Sequence, residues 1–190
     1  MIVHEKLSTT DEFEKFIALP ENQDRRFELI YGEIVEKMPT EEHGLIAGNI
    51  YAPLWNFVKP QKLGRVGIEV RHALKKDRLN DRIPDISFTS AERAGEIVKQ
   101  GPVLRMPELA IEVQSPDDSQ REMREKAAYY LQHGSRLVWL VYTDTPGVDE
   151  CTLGADGEML IKQYGEADTL NGGEVLPGFT LPVRDIFDVE

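Results

Sequence analysis

The stretch PELAIEVQSP, residues 107–116, alternates Leu109, Ile111 and Val113 with Ala110, Glu112 and Gln114. That is the period-two pattern of a half-buried strand. A carboxylate at Glu112 is costly there unless it is paired, hydrogen-bonded or bound to a metal. Three other residues could supply the chemistry. Asp85 follows a proline in the β-like run RIPDISFT, 27 positions before Glu112. Lys126 sits at the edge of the apolar stripe of a helical segment beyond the Glu112 strand, and Glu28 lies in the β-like run FELI. Two carboxylates on adjacent strands repel, so they need a cation between them or one must stay protonated. Mg²⁺ suits that gap, because it takes one or two carboxylates, keeps waters and accepts phosphate oxygens. An ion so held can polarise a phosphodiester, acidify water and stabilise the leaving oxygen. Lys126 would then position or deprotonate the attacking water, or balance charge at phosphorus. The same ammonium could equally neutralise Glu112 with no chemistry at all.

These side chains must be positioned by regular elements. STTDEFEKFIALPEN carries Thr9-x-x-Glu12, a capping-box spacing, and predicts a short helix ending before Pro20. RRFELIYGEIVEKMP predicts a hairpin around Tyr31-Gly32. EEHGLIAGNIYAPLWNFVK sets His43, Ile46, Ile50, Leu54 and Phe57 on one helical stripe, with Pro53 expected to kink or divide it. A lone histidine on such a stripe packs, caps the helix or serves as an accessory site residue. GIEVRHAL (67–74) and RIPDISFT (82–89) each read as β, and 90–106 as a loop with a little helix. SQREMREKAAYYLQHG is the best-marked helix, with Ser119-x-x-Glu122 as a capping box, Gly134 at its end, and Met123, Ala127, Tyr130 and Leu131 as its apolar stripe. RLVWLVYT is apolar throughout, as a central strand covered on both faces is. The span 108–143 is therefore a candidate parallel strand–helix–strand crossover. A second hairpin turns at Asp156-Gly157, and LPGFTLPVRDIF ends as an edge segment and a helical turn. The expected fold class is α+β: an antiparallel meander running into one parallel unit, with helices packed on the sheet.

Composition sets further bounds. The 190 residues predict a single domain, 1–190, with 41% apolar and 29% charged residues. The longest apolar run is too short to cross a bilayer. The N-terminal MIVHEKLSTTDEF lacks the apolar core of a signal peptide, and one cysteine, Cys151, fits a reducing compartment, so a cytoplasmic location is expected. No zinc-ligand spacing, Walker-type loop or GxGxxG pattern occurs. The net charge of −12 argues against an unaided, non-specific grip on nucleic acid. That charge is segregated, however. Residues 59–82 hold eight Lys or Arg against three acids, and residues 144–190 hold eleven acids against two basic residues. The first segment is either solvated surface or a basic track beside a site.

Taken together and in order, FELIYGEIVEKMP, EEHG, IPDISF, PELAIEVQSP, REKAAYYLQHG, RLVWLVY and LPGFTLPVRDIF resemble the restriction endonuclease-like family of the PD-(D/E)XK nuclease superfamily, over residues 10–188. The resemblance implies a mixed sheet with flanking helices and a metal-dependent phosphodiesterase site using Mg²⁺ or Mn²⁺ on DNA. At matching positions Asp85 is the aspartate of the Pro-Asp motif, Glu112 the second acid, and Glu28 an N-terminal acidic contributor to the metal. The superfamily pattern expects Lys two residues after the second acid, where this chain has Gln114. In this family the lysine migrates to the following helix, at Lys126, while Gln114 can still bond the water or the phosphate. A homodimer is expected, since cutting both strands of a duplex calls for two sites. The competing reading is a catalytically inactive nuclease-fold module for binding or assembly, in which Lys126 merely neutralises Glu112.

Overall fold

The computed structural model describes residues 7–189. In chain order its elements are α1 (Thr10–Ile17), β1 (Arg26–Ile30), β2 (Glu33–Lys37), α2 (Glu41–Gln61), β3 (Gly64–Ile68), β4 (His72–Ala73), β5 (Asp81–Arg82), β6 (Ile86–Ser90) and α3 (Ala91–Ala94). There follow β7 (Leu109–Val113), α4 (Gln120–Gln132), β8 (Leu137–Tyr142), β9 (Gly147–Leu153), β10 (Met159–Tyr164), β11 (Thr169–Gly172), β12 (Leu176–Pro182) and α5 (Val183–Phe187). The fold is mixed α+β, as expected, and the elements divide into two compact units.

The first unit takes the chain up to Met38 with Arg71–Ile83 and Val98–Arg105. The capping box starts α1: the Glu12 amide donates to Thr9 Oγ1 while Glu12 Oε2 accepts from the Thr9 amide at 2.9 Å. This frees the helix to lay Phe13 against Phe27 and Leu29, the small buried cluster of the unit. The predicted hairpin is present. Tyr31 and Gly32 both have positive φ, 50° and 86°, which lets a two-residue loop match the strand twist. Strand order is β2-β1-β5-β4.

The second unit comprises Pro39–Val70, Pro84–Ile97 and Met106–Glu190. Its six-stranded sheet runs β10-β9-β8-β7-β6-β3. Every pairing is antiparallel except β7 with β8, which α4 joins as the predicted crossover. Leu109, Ile111, Val113, Trp139 and Val141 fill one face of the sheet together with Ile46, Ile50, Leu54 and Val58 from α2. On the opposite side α4 contacts β7, β8 and β9. With both faces covered, every residue of β7 and β8 is buried, which is why β8 reads as an unbroken apolar run.

Two expectations about elements are corrected. Of the two effects expected of Pro53, it does not divide α2, which runs as one helix through 21 residues. An interior proline costs about 3 kcal/mol, but four buried side chains on that stripe contribute roughly 1.5–3 kcal/mol each, so packing on both sides of Pro53 wins. The runs 67–74 and 82–89 are not single strands. Each is cut between units, at Val70/Arg71 and Ile83/Pro84. Glu69 at φ 48° ends β3, and Pro84, lacking an N–H, separates β5 from β6. No helix among the described residues is long and apolar enough to cross a membrane.

Candidate active site

The register of β6 on β7 places the two principal acids. Ile86 pairs with Ile111 and Ser87 with Ala110, so one step further Asp85 stands opposite Glu112. The Glu69 amide donates to the Asp85 carbonyl at 3.1 Å, which carries the β3–β6 ladder across the same step. Directly opposed residues bring their Cβ atoms within about 5 Å. Both acids are almost wholly buried, at 2% and 1% exposure.

Each carboxylate is held by groups that fix its orientation. Asp85 Oδ2 accepts from the Val113 amide at 2.7 Å, and Nε2 of His43 lies 3.2 Å from the same oxygen. His43 reaches that point because α2 starts there: Thr40 Oγ1 caps the helix by accepting from the His43 amide. Glu112 Oε1 accepts from the Tyr130 hydroxyl at 2.7 Å, and Lys126 Nζ lies 3.7 Å from Oε2. The ammonium also donates to Asp118 Oδ1 at 3.2 Å. Lys126 thus turns toward the sheet rather than into solvent. Its side chain is only 12% exposed.

The remaining sequence candidates fall out differently. Gln114 makes two local contacts: its Nε2 donates to the Asp118 carbonyl and its Oε1 accepts from the Thr143 amide. It ties the end of β7 to the 115–118 loop and to the end of β8. Glu28 belongs to the first unit, where its Oε1 accepts from the Ile83 amide at 2.5 Å. The basic segment 59–82 is divided between the units, with residues 59–70 in the second and residues 71–82 in the first. Within the first unit Arg71 pairs with Asp81 and Glu14, Arg78 with Asp11, and buried Arg82 donates to Asn80.

Tyr130 and Asp118 escaped the sequence reading. Tyr130 looked like one more residue of an apolar stripe. Its four-residue spacing from Lys126 was the available signal, since it puts both polar ends on one helix face. Asp118 is a loop acid just before the Ser119 cap, with no periodicity to mark it.

The donor set fits a hard divalent ion. Among the described residues no three His, Cys, Asp or Glu side chains are grouped as metal ligands. Mg²⁺ nonetheless binds through one or two carboxylates, with waters and substrate phosphate completing its shell, and the opposed Asp85 and Glu112 are the residues that could hold it. Thiol chemistry has no support, since burial and the neighbouring Asp149 carboxylate push the Cys151 thiol up to about 12.

Comparison with known proteins places the chain in a family and a fold. The Uma2 family model, described as putative restriction endonuclease, matches residues 13–184. The crystal structure of a putative nuclease belonging to DUF820 from Anabaena variabilis superposes with a TM-score of 0.77 at 25% identity, covering 95% of this chain and 98% of that one. No curated protein matches the chain.

Proposed function

We propose that this chain, which belongs to the Uma2 family of putative restriction endonucleases, hydrolyses phosphodiester bonds in DNA with the aid of Mg²⁺ or Mn²⁺. The observation that carries the reading is the buried, opposed pair Asp85 and Glu112 with the Lys126 ammonium 3.7 Å from Glu112. Asp85 and Glu112 would hold the cation, which when bound supplies charge neutralisation for the carboxylates and polarisation of the phosphate and of water. The chain's own groups do the rest. Val113 N–H and His43 fix Asp85, and the Tyr130 hydroxyl fixes Glu112, so neither carboxylate must reorganise when substrate arrives. Lys126, shared between Glu112 and Asp118, is placed to lend a proton or a positive charge to an oxygen of the reacting phosphate.

Cleavage of plasmid DNA with Mg²⁺ or Mn²⁺ tests the reading. Asp85→Asn and Glu112→Gln should each lower the rate on the order of 100-fold or more, with circular dichroism unchanged. Cleavage at the wild-type rate in either folded variant rejects it.

One observation favours a second reading, the inactive nuclease-fold module. Glu112 is satisfied by Tyr130 and Lys126 within the chain itself, and Gln114 stands where a lysine would be expected. Calorimetry decides between the two: stoichiometric Mn²⁺ binding abolished by Asp85→Asn rejects the module, and no Mn²⁺ heat supports it.

A further inference from the structure

The exposed side of α2 combines aromatic rings and cations in a way the opposed acids do not require. Tyr51, Trp55 and Lys59 follow at four-residue intervals, so they share one face of the helix. The Tyr51 and Trp55 rings stack with centroids 5.8 Å apart and planes 25° apart. Lys59 Nζ lies 4.8 Å from the centroid of the Trp55 ring, and Trp55 is 37% exposed. Where α2 ends, Lys59, Lys62 and Arg65 line a pocket of about 400 Å³ floored by Gly64, Ala91 and Ala94. Arg65 is braced there by the Ala94 and Gly95 carbonyls at 3.4 and 2.7 Å. No acid lines the pocket, and none of the three cations is ion-paired among the described residues. The negative end of the α2 dipole accounts for Lys59 and Lys62. It does not account for a tryptophan left more than a third exposed beside them.

We propose that this face is a binding track for single-stranded nucleic acid, with Trp55 stacking a base and Lys59, Lys62 and Arg65 taking the adjacent phosphates. In the free protein the Lys59 ammonium covers the Trp55 ring. A phosphate in the pocket draws the ammonium away, and a base replaces it; base–aromatic stacking is the stronger of the two contacts on an exposed ring. A duplex keeps its base faces hidden, so the platform selects unpaired strand. An acidic peptide would satisfy the cations but has nothing for the ring.

The track rests on the nuclease reading for its choice of ligand, yet it is separate in space from the acids. Gly64 pairs with Ser90 and Ile68 with Ile86, so the pocket and Asp85 lie at opposite ends of β6, about 17 Å apart at strand rise. Binding can therefore be measured without catalysis. The probe is a fluorescent thymidine homopolymer of about 20 nucleotides, titrated with the Asp85→Asn chain in EDTA. We expect salt-dependent binding with a log–log slope of about −2, the value for three cations on a single strand. Trp55 emission should be quenched, against a constant background from Trp139, which is fully buried. Lys59→Gln/Lys62→Gln/Arg65→Gln, and separately Trp55→Leu, should each weaken binding about tenfold or more, and poly-glutamate should not compete. Unchanged affinity in both folded variants, or equal competition by poly-glutamate, overturns the track. Binding without cleavage by the wild-type chain sinks the nuclease reading alone, and cleavage without this binding sinks the track alone.

Discussion

Tyr130 joins packing to chemistry in a single side chain. Its ring is wholly buried on the α4 stripe, while its hydroxyl donates to Glu112. Tyr130→Phe keeps the packing and strips a buried carboxylate of a donor, which should cost about 1–3 kcal/mol of stability. Urea denaturation reads the loss, and a stability equal to wild type would mean that Glu112 is satisfied without the Tyr130 hydroxyl. Hydropathy periodicity reads the ring and is blind to the hydroxyl, so the sequence showed an acid in need of a partner but not this partner. The residue pattern showed Lys126 and His43 as polar residues on apolar stripes, with the family resemblance adding a role for Lys126, and what each touches is set by register and by the helix starts. His72, in the first unit, offers a separate test at this scale. Burial lowers its pKa to about 4 from 6.5, with Nδ1 against the Arg105 carbonyl. The folded state therefore binds fewer protons than the unfolded one between those values. Its contribution is complete above pH 6.5 and is lost as pH falls toward 4, by roughly 3 kcal/mol in all. Denaturation curves at pH 7 and pH 4.5 should show a smaller loss in His72→Gln than in wild type. Identical losses would assign the acid sensitivity elsewhere.

At the scale of the elements, α2 carries Pro53 in its middle and Pro60 near its end. Pro53 cannot donate to the Asn49 carbonyl, yet the helix runs through it because Ile46, Ile50, Leu54 and Val58 are packed on the core face. Pro53→Ala restores a donor and removes the ring clash. The gain of up to about 3 kcal/mol is offset by roughly 0.4–1 kcal/mol, because the unfolded chain becomes freer. A rise of about 2 kcal/mol in unfolding free energy is expected, read as a higher urea midpoint at constant slope. No rise would show that α2 already relaxes around the proline. Elements marked by local chemistry were legible: both capping boxes and the Tyr31-Gly32 turn depend on residues within a few positions of one another, and the α4 crossover followed from a capped helix between two strand-like runs. The runs 67–74 and 82–89 were not, because β patterning cannot tell one strand from two that serve different sheets. The decisive marks, a positive φ at Glu69 and the missing N–H of Pro84, punctuate the pattern without altering its period.

For the whole molecule, a net charge of −12 complicates any statement about a divalent ion. Any cation relieves self-repulsion by screening, so a higher melting temperature in Mn²⁺ proves nothing by itself. A cation held by Asp85 and Glu112 adds a distinct term, about 2.7 kcal/mol at a hundred times its Kd. For a chain of this size that is roughly 5–10 °C. Both acids belong to the second unit, so the added term should act on that unit's sheet. The amides of Ile111, Trp139 and Val141, within the buried strands β7 and β8, should gain hydrogen-exchange protection in Mn²⁺ beyond that in NaCl of equal ionic strength. Asp85→Asn should keep the screening gain and lose the excess. If the variant and the wild type gain equally at matched ionic strength, the acids hold no ion, and the Lys126 ammonium serves to neutralise Glu112.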